Sequence, residues 1–111
     1  MLTTRPAPAG DVLTITPMVG RVGADLLGDV DLATVPVLEA ALDKLVAGDG
    51  DVHLGLAGLH FVDLSGAAVL VAAAARLGPD RRLVLHDPPP ALSQILDGFW
   101  GGVAKIRVNV S

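Results

Sequence analysis

The chain has no cysteine, no tyrosine, and only two phenylalanines and one tryptophan among its 111 residues. Without cysteine it can form neither disulfide bonds nor thiolate metal sites, so its stability depends on packing. So few aromatic rings offer no platform for stacking the bases of single-stranded nucleic acid. Basic charge is also scarce, with eight Lys and Arg residues against twelve Asp and Glu residues. Phosphate binding requires clustered basic residues, so we expect no nucleic-acid partner.

Long apolar runs are missing as well. No stretch reaches the roughly 18 consecutive apolar residues that a membrane-spanning helix needs. The first ten residues also lack the apolar core that a secretory signal peptide carries. We therefore expect a cytoplasmic protein with no membrane partner.

The sequence does contain enough apolar material for one core. Hydrophobic residues make up 51% of the chain, and 111 residues leave no room for a second domain. Residues 1–10 include Pro6 and Pro8, are rich in small side chains and show no periodicity. We predict a flexible N-terminal arm over residues 1–10 and a single domain over residues 11–111.

Hydrophobic periodicity predicts five strands and three helices in the order ββαβαβαβ. The predicted strands span residues 11–16, 21–28, 51–57, 83–85 and 104–110. The predicted helices begin after a Thr34 cap, at Ser65 (ending at Leu77), and within the proline run 88–90. Strands alternating with helices imply parallel pairs joined by right-handed crossovers, here after an antiparallel start. The expected fold class is α/β, with a mixed sheet of about five strands and three helices.

Apolar side chains indicate how each predicted element faces the core. Strand 51–57 is apolar on both faces, which is typical of a central strand. In strand 104–110, apolar and polar residues alternate, which is typical of an edge strand with one solvent-exposed face. The inward face of the first helix is predicted to consist of Val35, Leu38, Leu42, Leu45 and Val46. The inward face of the third helix is predicted to consist of Leu92, Ile95, Leu96 and Phe99.

The segment from His60 to Ala68 lies between the central strand and the second helix, where α/β sheets usually place functional loops. Ser65 can serve there as the helix N-cap. From Gly66 to Ala75 the helix has no charged or polar residue, although the outward face of a surface helix normally has some. This pattern favours a docking surface with Ser65 at its rim. Burial by a second copy of the chain, in a homodimer, is the alternative.

A phosphate on Ser65 would be compatible with the fold but not with a docked partner. Free N–H groups and the dipole at a helix N-terminus favour an anion by about 0.3–1 kcal/mol. The phosphate would add about -1.5 to -2 charges beside Asp63, and a pair of unit charges ~6 Å apart costs ~3 kcal/mol at an effective dielectric constant of ~20. Ser65 is therefore predicted to be an off switch for an interface.

Two short motifs of similar character precede the first two helices. Residues 28–34 (Gly-Asp-Val-Asp-Leu-Ala-Thr) precede the first helix, and residues 61–66 (Phe-Val-Asp-Leu-Ser-Gly) precede the second. Together they resemble the two motifs of the STAS domain of bacterial anti-sigma factor antagonists. The corresponding family motifs read Gly-Glu-x-Asp and Asp-Ser-Ser-Gly. Ser65 matches the second serine of the family motif, Leu64 stands in place of the first serine, and Asp29 stands in place of the glutamate.

The resemblance implies a STAS fold and a transcription regulator that is not an enzyme and needs no cofactor. Such an antagonist binds an anti-sigma factor, a GHKL-type serine kinase, and thereby frees a sigma factor until the kinase phosphorylates the second serine. That serine is Ser65 here. The expected partner-binding residues are Asp31, Asp63, Leu64, Ser65, Gly66 and Val69. The alternative is a STAS-type protein-interaction subunit of a transport or stress-sensing assembly that is not phosphorylated.

Catalysis and metal binding are the competing interpretations of the serine and the histidines. A hydrolase would combine Ser65 with one of His53, His60 or His86 and an aspartate. The segment Asp-Leu-Ser-Gly-Ala, however, lacks the first glycine of the G-x-S-x-G elbow. The histidines also lack the spacing of a zinc site, and we predict His53 on a strand and the other two in loops. We expect neither a catalytic nor a metal site.

Overall fold

The computed structural model describes residues 12–101 and 103–110, so the predicted arm at 1–10 lies outside the described residues. The elements are β1 Leu13–Pro17, β2 Gly23–Val30, α1 Val35–Val46, β3 Val52–Val62, α2 Leu64–Ala75, β4 Leu83–His86, α3 Pro90–Trp100 and β5 Ile106–Asn109. Their order is the predicted ββαβαβαβ. In the part of the chain that is described, no helix is both long enough and apolar enough to span a bilayer.

The five strands form one mixed sheet in the order β1-β2-β3-β4-β5. β1 pairs with β2 antiparallel, and the remaining neighbours pair parallel. The predicted α/β class, with its antiparallel start, is confirmed, and so are the central place of β3 and the edge place of β5. Because β2 and β3 run in the same direction, the segments that lead from them into α1 and α2 leave the sheet at the same edge.

The core lies between one face of the sheet and the three helices. Along β3, Val52, Leu54 and Leu56 are at most 1% exposed and belong to the same buried cluster as side chains of all three helices. His53 and Gly55 alternate with them on the other face and are half-buried. The helices therefore cover one face of the sheet, and the opposite face is more open to solvent.

β3 continues five residues beyond its predicted end. Leu59 and Val62 extend its buried side, and two register shifts against β2 allow the strand to continue past Gly58. The predictions that His60 and His86 lie in loops were therefore wrong, because His60 lies on β3 and His86 ends β4. Sequence periodicity misses such an extension because each shift changes which residues face the core.

The predicted inward faces of the last helix and strand were also partly wrong. Phe99 is 67% exposed, whereas Trp100, one turn beyond the buried Leu96, packs against the core. On β5 only Ile106 is half-buried, and Val108 is 45% exposed. α2 likewise ends two residues before its predicted end at Leu77. Apolar side chains in the C-terminal part of the described chain are therefore more exposed to solvent than the alternation of apolar and polar residues predicts.

Two basic side chains bind the carbonyl groups at the ends of α1 and α2. Arg81 donates from Nε to the Gly50 carbonyl (2.7 Å) and from Nη1 to the Val46 carbonyl (2.8 Å) at the end of α1. Lys105 donates from Nζ to the Leu77 carbonyl (2.9 Å) and to the Gly78 carbonyl just beyond α2. Cations at helix C-termini satisfy unpaired carbonyls and complement the helix dipole.

We predict that Arg81→Met lowers the free energy of unfolding by about 2 kcal/mol, since it removes two hydrogen bonds from a charged donor and keeps much of the apolar stem. Urea denaturation followed by circular dichroism measures this change. Arg107→Met on the exposed edge strand β5 is the control, with an expected effect below about 0.5 kcal/mol. Equal losses for the two variants would contradict the proposed role of Arg81.

His53 and His86 form a hydrogen-bonded pair on the open face of the sheet. His53 Nδ1 lies 2.9 Å from His86 Nε2, and Asn109 Nδ2 lies 3.1 Å from His86 Nδ1. Burial lowers the pKa of His53 below its ordinary value of 6.5, electrostatic interaction with Arg21 and with His86 lowers the pKa further, and Asp51 opposes the shift. The folded state therefore disfavours protonation of His53.

This shift predicts a loss of stability in mild acid. Because the pKa of His53 is lower in the folded state, the unfolded chain binds the proton more readily below pH 6.5. The contribution of neutral His53 to the free energy of unfolding is fully present above pH 6.5 and is lost as the pH falls through the pKa of the folded state. Denaturant unfolding at about pH 7.5 and about pH 5.5 should show a larger fall in the free energy of unfolding for the wild type than for His53→Gln. An equal fall in both proteins would contradict the prediction.

Candidate functional site

The candidate site lies where β2 and β3 lead into α1 and α2. The last residues of these strands, Val30 and Val62, are paired across the sheet. The Asp63 N–H donates to the Val30 carbonyl at 3.1 Å, which ties the start of α2 to the end of β2. Asp31 and Asp63, the acidic residues of the two sequence motifs, therefore directly follow Val30 and Val62, which pair with each other in the sheet.

At the start of α2, Asp63 is the N-cap, in place of the predicted Ser65. Its backbone is extended (φ -102°, ψ -176°), and its Oδ1 accepts the Gly66 N–H at 3.2 Å. Ser65 already lies in the first helical turn, and its hydroxyl donates to the same Asp63 oxygen at 2.5 Å. The hydroxyl is thus bonded to a side chain and not to the helix backbone, and Ser65 remains half-buried.

At the start of α1, Thr34 precedes the helix as predicted, but its side chain does not cap it. The hydroxyl accepts the Asp31 N–H (3.0 Å) and donates to the Asp29 carbonyl (2.9 Å). The Thr34 N–H in turn donates to Asp31 Oδ1 at 3.1 Å. Thr34 is only 4% exposed. Both helix starts therefore combine a hydroxyl with an aspartate, but Thr34 is buried whereas Ser65 is half-buried.

Large apolar side chains lie exposed where the paired strands β2 and β3 end. Leu32 is 77% exposed and Leu64 45%, and each lies two residues beyond the paired Val30 and Val62. We call these two residues together with Ser65 the Ser65 surface. Phe61 is 49% exposed, but it precedes the core-facing Val62 on β3 and so lies toward the opposite face of the sheet. The sequence analysis predicted Leu64 and missed Leu32, although Leu32 is an apolar residue within the first motif, next to Asp31.

The outer face of α2 is apolar and lies open to solvent. Ala68, Ala72 and Ala75 are exposed, whereas the inner face of the helix is buried. A groove of about 410 Å³ runs between α1 and α2, and Val69 is one of its lining residues. The Arg76–Asp43 ion pair (2.7 Å) lies at the far end of this groove from Ser65. The sequence analysis predicted that the outward face of this helix carries no charge and is not covered by the rest of the chain. The exposed alanines agree with this prediction over the described residues.

The six residues predicted to bind a partner differ in their accessibility. Leu64 is exposed, and Asp31, Asp63, Ser65 and Val69 are half-buried. Gly66 is buried, and a Cβ atom placed on it would lie 2.3 Å from Val30 Cγ1. Gly66 therefore lies beneath the Ser65 surface, where the absence of a side chain lets α2 approach β2 closely.

The serine and the histidines belong to separate hydrogen-bonded groups. Ser65 donates to Asp63, whereas His53 and His86 bond to each other on the open face of the sheet. Over the described ranges, no group of three or more His, Cys, Asp or Glu side chains is arranged to hold a metal ion. The arrangement at Ser65 is thus the hydroxyl of a half-buried serine that donates to a carboxylate, with the exposed Leu64 beside it in the chain.

Solved structures that share this fold include those of two anti-sigma factor antagonists. The crystal structure of an anti-sigma factor antagonist from Mycobacterium paratuberculosis is 21% identical in sequence, with a TM-score of 0.72, and the match covers 93% of this chain and 90% of that one. The anti-sigma factor antagonist SpoIIAA in its unphosphorylated form is 18% identical, with a TM-score of 0.64 and 87% of each chain covered. No curated protein matches the sequence. At these identities the likeness shows a shared fold.

A comparison with protein-family models identifies the family. The model described as "Mlab, STAS domain" matches residues 20–99. This stretch contains both sequence motifs and all elements from β2 to most of α3, which is well over half of the chain. The chain therefore belongs to the STAS domain family.

Proposed function

We propose that this protein is an anti-sigma factor antagonist of the cytoplasm. It binds an anti-sigma factor of the GHKL serine kinase type, which releases a sigma factor, and phosphorylation of Ser65 ends the binding. The observation that carries the proposal is a half-buried Ser65 at the start of an uncharged helix, at the sheet edge where Leu32 and Leu64 are exposed. The two structural neighbours, both anti-sigma factor antagonists, support the same general role.

The position of Asp63 explains how a phosphate would oppose binding. Ser65 Oγ lies 2.5 Å from Asp63 Oδ1, so phosphate oxygens on Ser65 would add negative charge directly beside a carboxylate. Two unit charges ~4 Å apart repel by about 4 kcal/mol at an effective dielectric constant of ~20, before salt screening. A partner docked on Leu32 and Leu64 would exclude the water that screens these charges. Since each 1.4 kcal/mol is about tenfold in affinity, even part of this repulsion weakens binding strongly.

The phosphorylation itself is the first test. We expect incubation with candidate GHKL-type anti-sigma kinases and ATP to add the mass of one phosphate to the wild type and none to Ser65→Ala. Thr34→Ser is the matched control: it keeps Ser65 and should still gain a single phosphate, because the hydroxyl at position 34 is buried. Phosphate on Ser65→Ala would place the modification elsewhere. No phosphate on the wild type with any such kinase would favour the unphosphorylated assembly subunit.

A second test separates the charge from the kinase reaction. The natural chain has no cysteine, so Ser65→Cys introduces a single thiol. Labelling it with an anionic methanethiosulfonate should weaken binding to the anti-sigma factor at least about tenfold, whereas a cationic reagent of similar size should weaken it much less. Calorimetry or surface plasmon resonance measures the difference. Equal losses with both reagents would show that bulk, and not charge, opposes binding.

The Ser65 surface gives a further prediction. Leu64→Glu or Leu32→Glu should weaken binding to the anti-sigma factor at least about tenfold, because each places a charge in an apolar contact that must be desolvated. Val19→Glu is the matched control, since Val19 is 99% exposed in the turn at the opposite end of β2. Binding that is equally sensitive to all three variants, or to none, would place the interface elsewhere.

A further inference from the structure

We propose that the outer edge of β5 is a dimerisation surface, on which β5 of a second copy of this chain pairs antiparallel about a two-fold axis at Val108. The pairing would join the two five-stranded sheets into one continuous sheet. It does not involve the Ser65 surface, which lies at the ends of β2 and β3, and it does not depend on the proposed function.

The outer edge of β5 presents backbone hydrogen-bonding groups to solvent. The carbonyls of Lys105 and Asn109 each accept a hydrogen bond of 2.8 Å from the backbone on the β4 side. Since successive residues of a strand direct their N–H and C=O groups to opposite sides, those of Ile106 and Val108 point to the outer edge. In the part of the chain that the structure describes, no strand pairs with this edge. An open edge of this kind is a template for another strand.

The backbone groups at this edge determine the register of the pairing. The Ile106 N–H donates to the Val103 carbonyl at 3.0 Å, so Ile106 offers a second copy only its carbonyl. Val108 directs both its N–H and its C=O outward. Residues directly opposite in an antiparallel pair can exchange both hydrogen bonds, so Val108 fits opposite Val108 of the second copy. In that register, the N–H of Val110 in each copy reaches the Ile106 carbonyl of the other.

The side chains on the helix side of this edge fit the same register. Ile106 and Val108 line a groove of about 390 Å³ between α3 and β5. Val108 is 45% exposed, and Val110, two residues further along, is 73% exposed. Pairing about Val108 would place each Val110 opposite Ile106 of the other copy and remove this β-branched row from water. The apolar row complements its own reversed copy, which favours a second copy of the chain as the occupant.

The polar residues on the other face of β5 also complement each other. In the same register, Arg107 lies opposite Asn109 of the second copy, so the two arginines do not face each other. Asn109 Nδ2 lies 3.1 Å from His86 Nδ1, and an amide nitrogen can only donate, so the Asn109 Oδ1 atom can accept from the Arg107 guanidinium. A charge that would otherwise discourage edge pairing therefore meets an acceptor.

The opposite edge of the sheet is less suited to pairing. β1 carries the exposed Thr14 and Thr16 on one face and ends at Pro17, which has no N–H to donate. A contact between β5 of one copy and β1 of another would also leave an open edge on each copy and continue the sheet from copy to copy. Pairing of β5 with β5 is isologous and closes as a dimer.

Sedimentation equilibrium between about 10 µM and about 1 mM tests the association, because an interface of one strand pair is small and weak. The wild-type mass should rise from 11.3 kDa toward twice that value. Val108→Pro removes the outward N–H without taking a donor from the β4 side, and Val108→Lys adds a charge to the edge. Both should stay at the monomer mass. Thr14→Lys on β1 is the matched control and should associate like the wild type, with circular dichroism verifying that each variant is folded.

Cysteine cross-linking tests the register, since the natural chain has no cysteine. Val108→Cys would place two thiols across the axis, where the Cα atoms of a hydrogen-bonded pair are ~5.5 Å apart and a disulfide can form. Val110→Cys is the matched control, because Val110 is more exposed but its two copies would lie four positions apart, or ~13 Å. Mild oxidation should link Val108→Cys at least about tenfold faster than Val110→Cys.

The outcomes decide the inference without any kinase, so they leave the proposed function untouched. A rise in mass that is lost in both Val108 variants, together with preferential cross-linking at position 108, supports it. A wild type that stays at the monomer mass overturns it, and so do Val108 variants that associate like the wild type. Cross-linking at position 110 as fast as at position 108 excludes the register. Dissociation by Thr14→Lys would place the contact on β1 and overturn the inference as well.

Discussion

The candidate site depends on the parallel pairing of β2 with β3. Their last residues, Val30 and Val62, are partners in the sheet, so both following segments leave at one edge and bring two helix N-termini together. The hydrogen bond from the Asp63 N–H to the Val30 carbonyl extends this pairing by one residue into the site. A shift of β3 by one residue would turn its buried side outward, so the core that fixes the register also fixes the position of Ser65.

α2 meets two opposing demands. Its inner face must pack closely, which Gly66 and small residues such as Ala67 and Ala74 allow, and these three are buried. Its outer face carries no charge that would favour solvent, which leaves stability to the packing of the inner face. The helix thus keeps an outward surface that would cost little to desolvate under a partner, and in the proposed function Ser65 in its first turn is the group that changes this surface.

Sequence patterns predicted the element order, the sheet class and the place of Ser65 at the start of α2, because these depend on periodicity and on local motifs. They could not choose the N-cap of α2, since Asp63 and Ser65 are both good caps and lie two residues apart. They also placed Phe99 inward where Trp100 packs, because one residue is a rotation of about 100° around a helix. The His53–His86 pair spans 33 positions and depends on strand register, which periodicity does not determine.

Asp63 connects the fold to the proposed switch. Its carboxylate accepts the Ser65 hydroxyl and caps α2 through the Gly66 N–H, so one side chain holds both the serine and the helix start. Under the proposed function, a phosphate on Ser65 would be repelled by this carboxylate and would compete with it for the helix N-terminus. The aspartate that orients the serine would therefore also strengthen the effect of the modification on a bound partner.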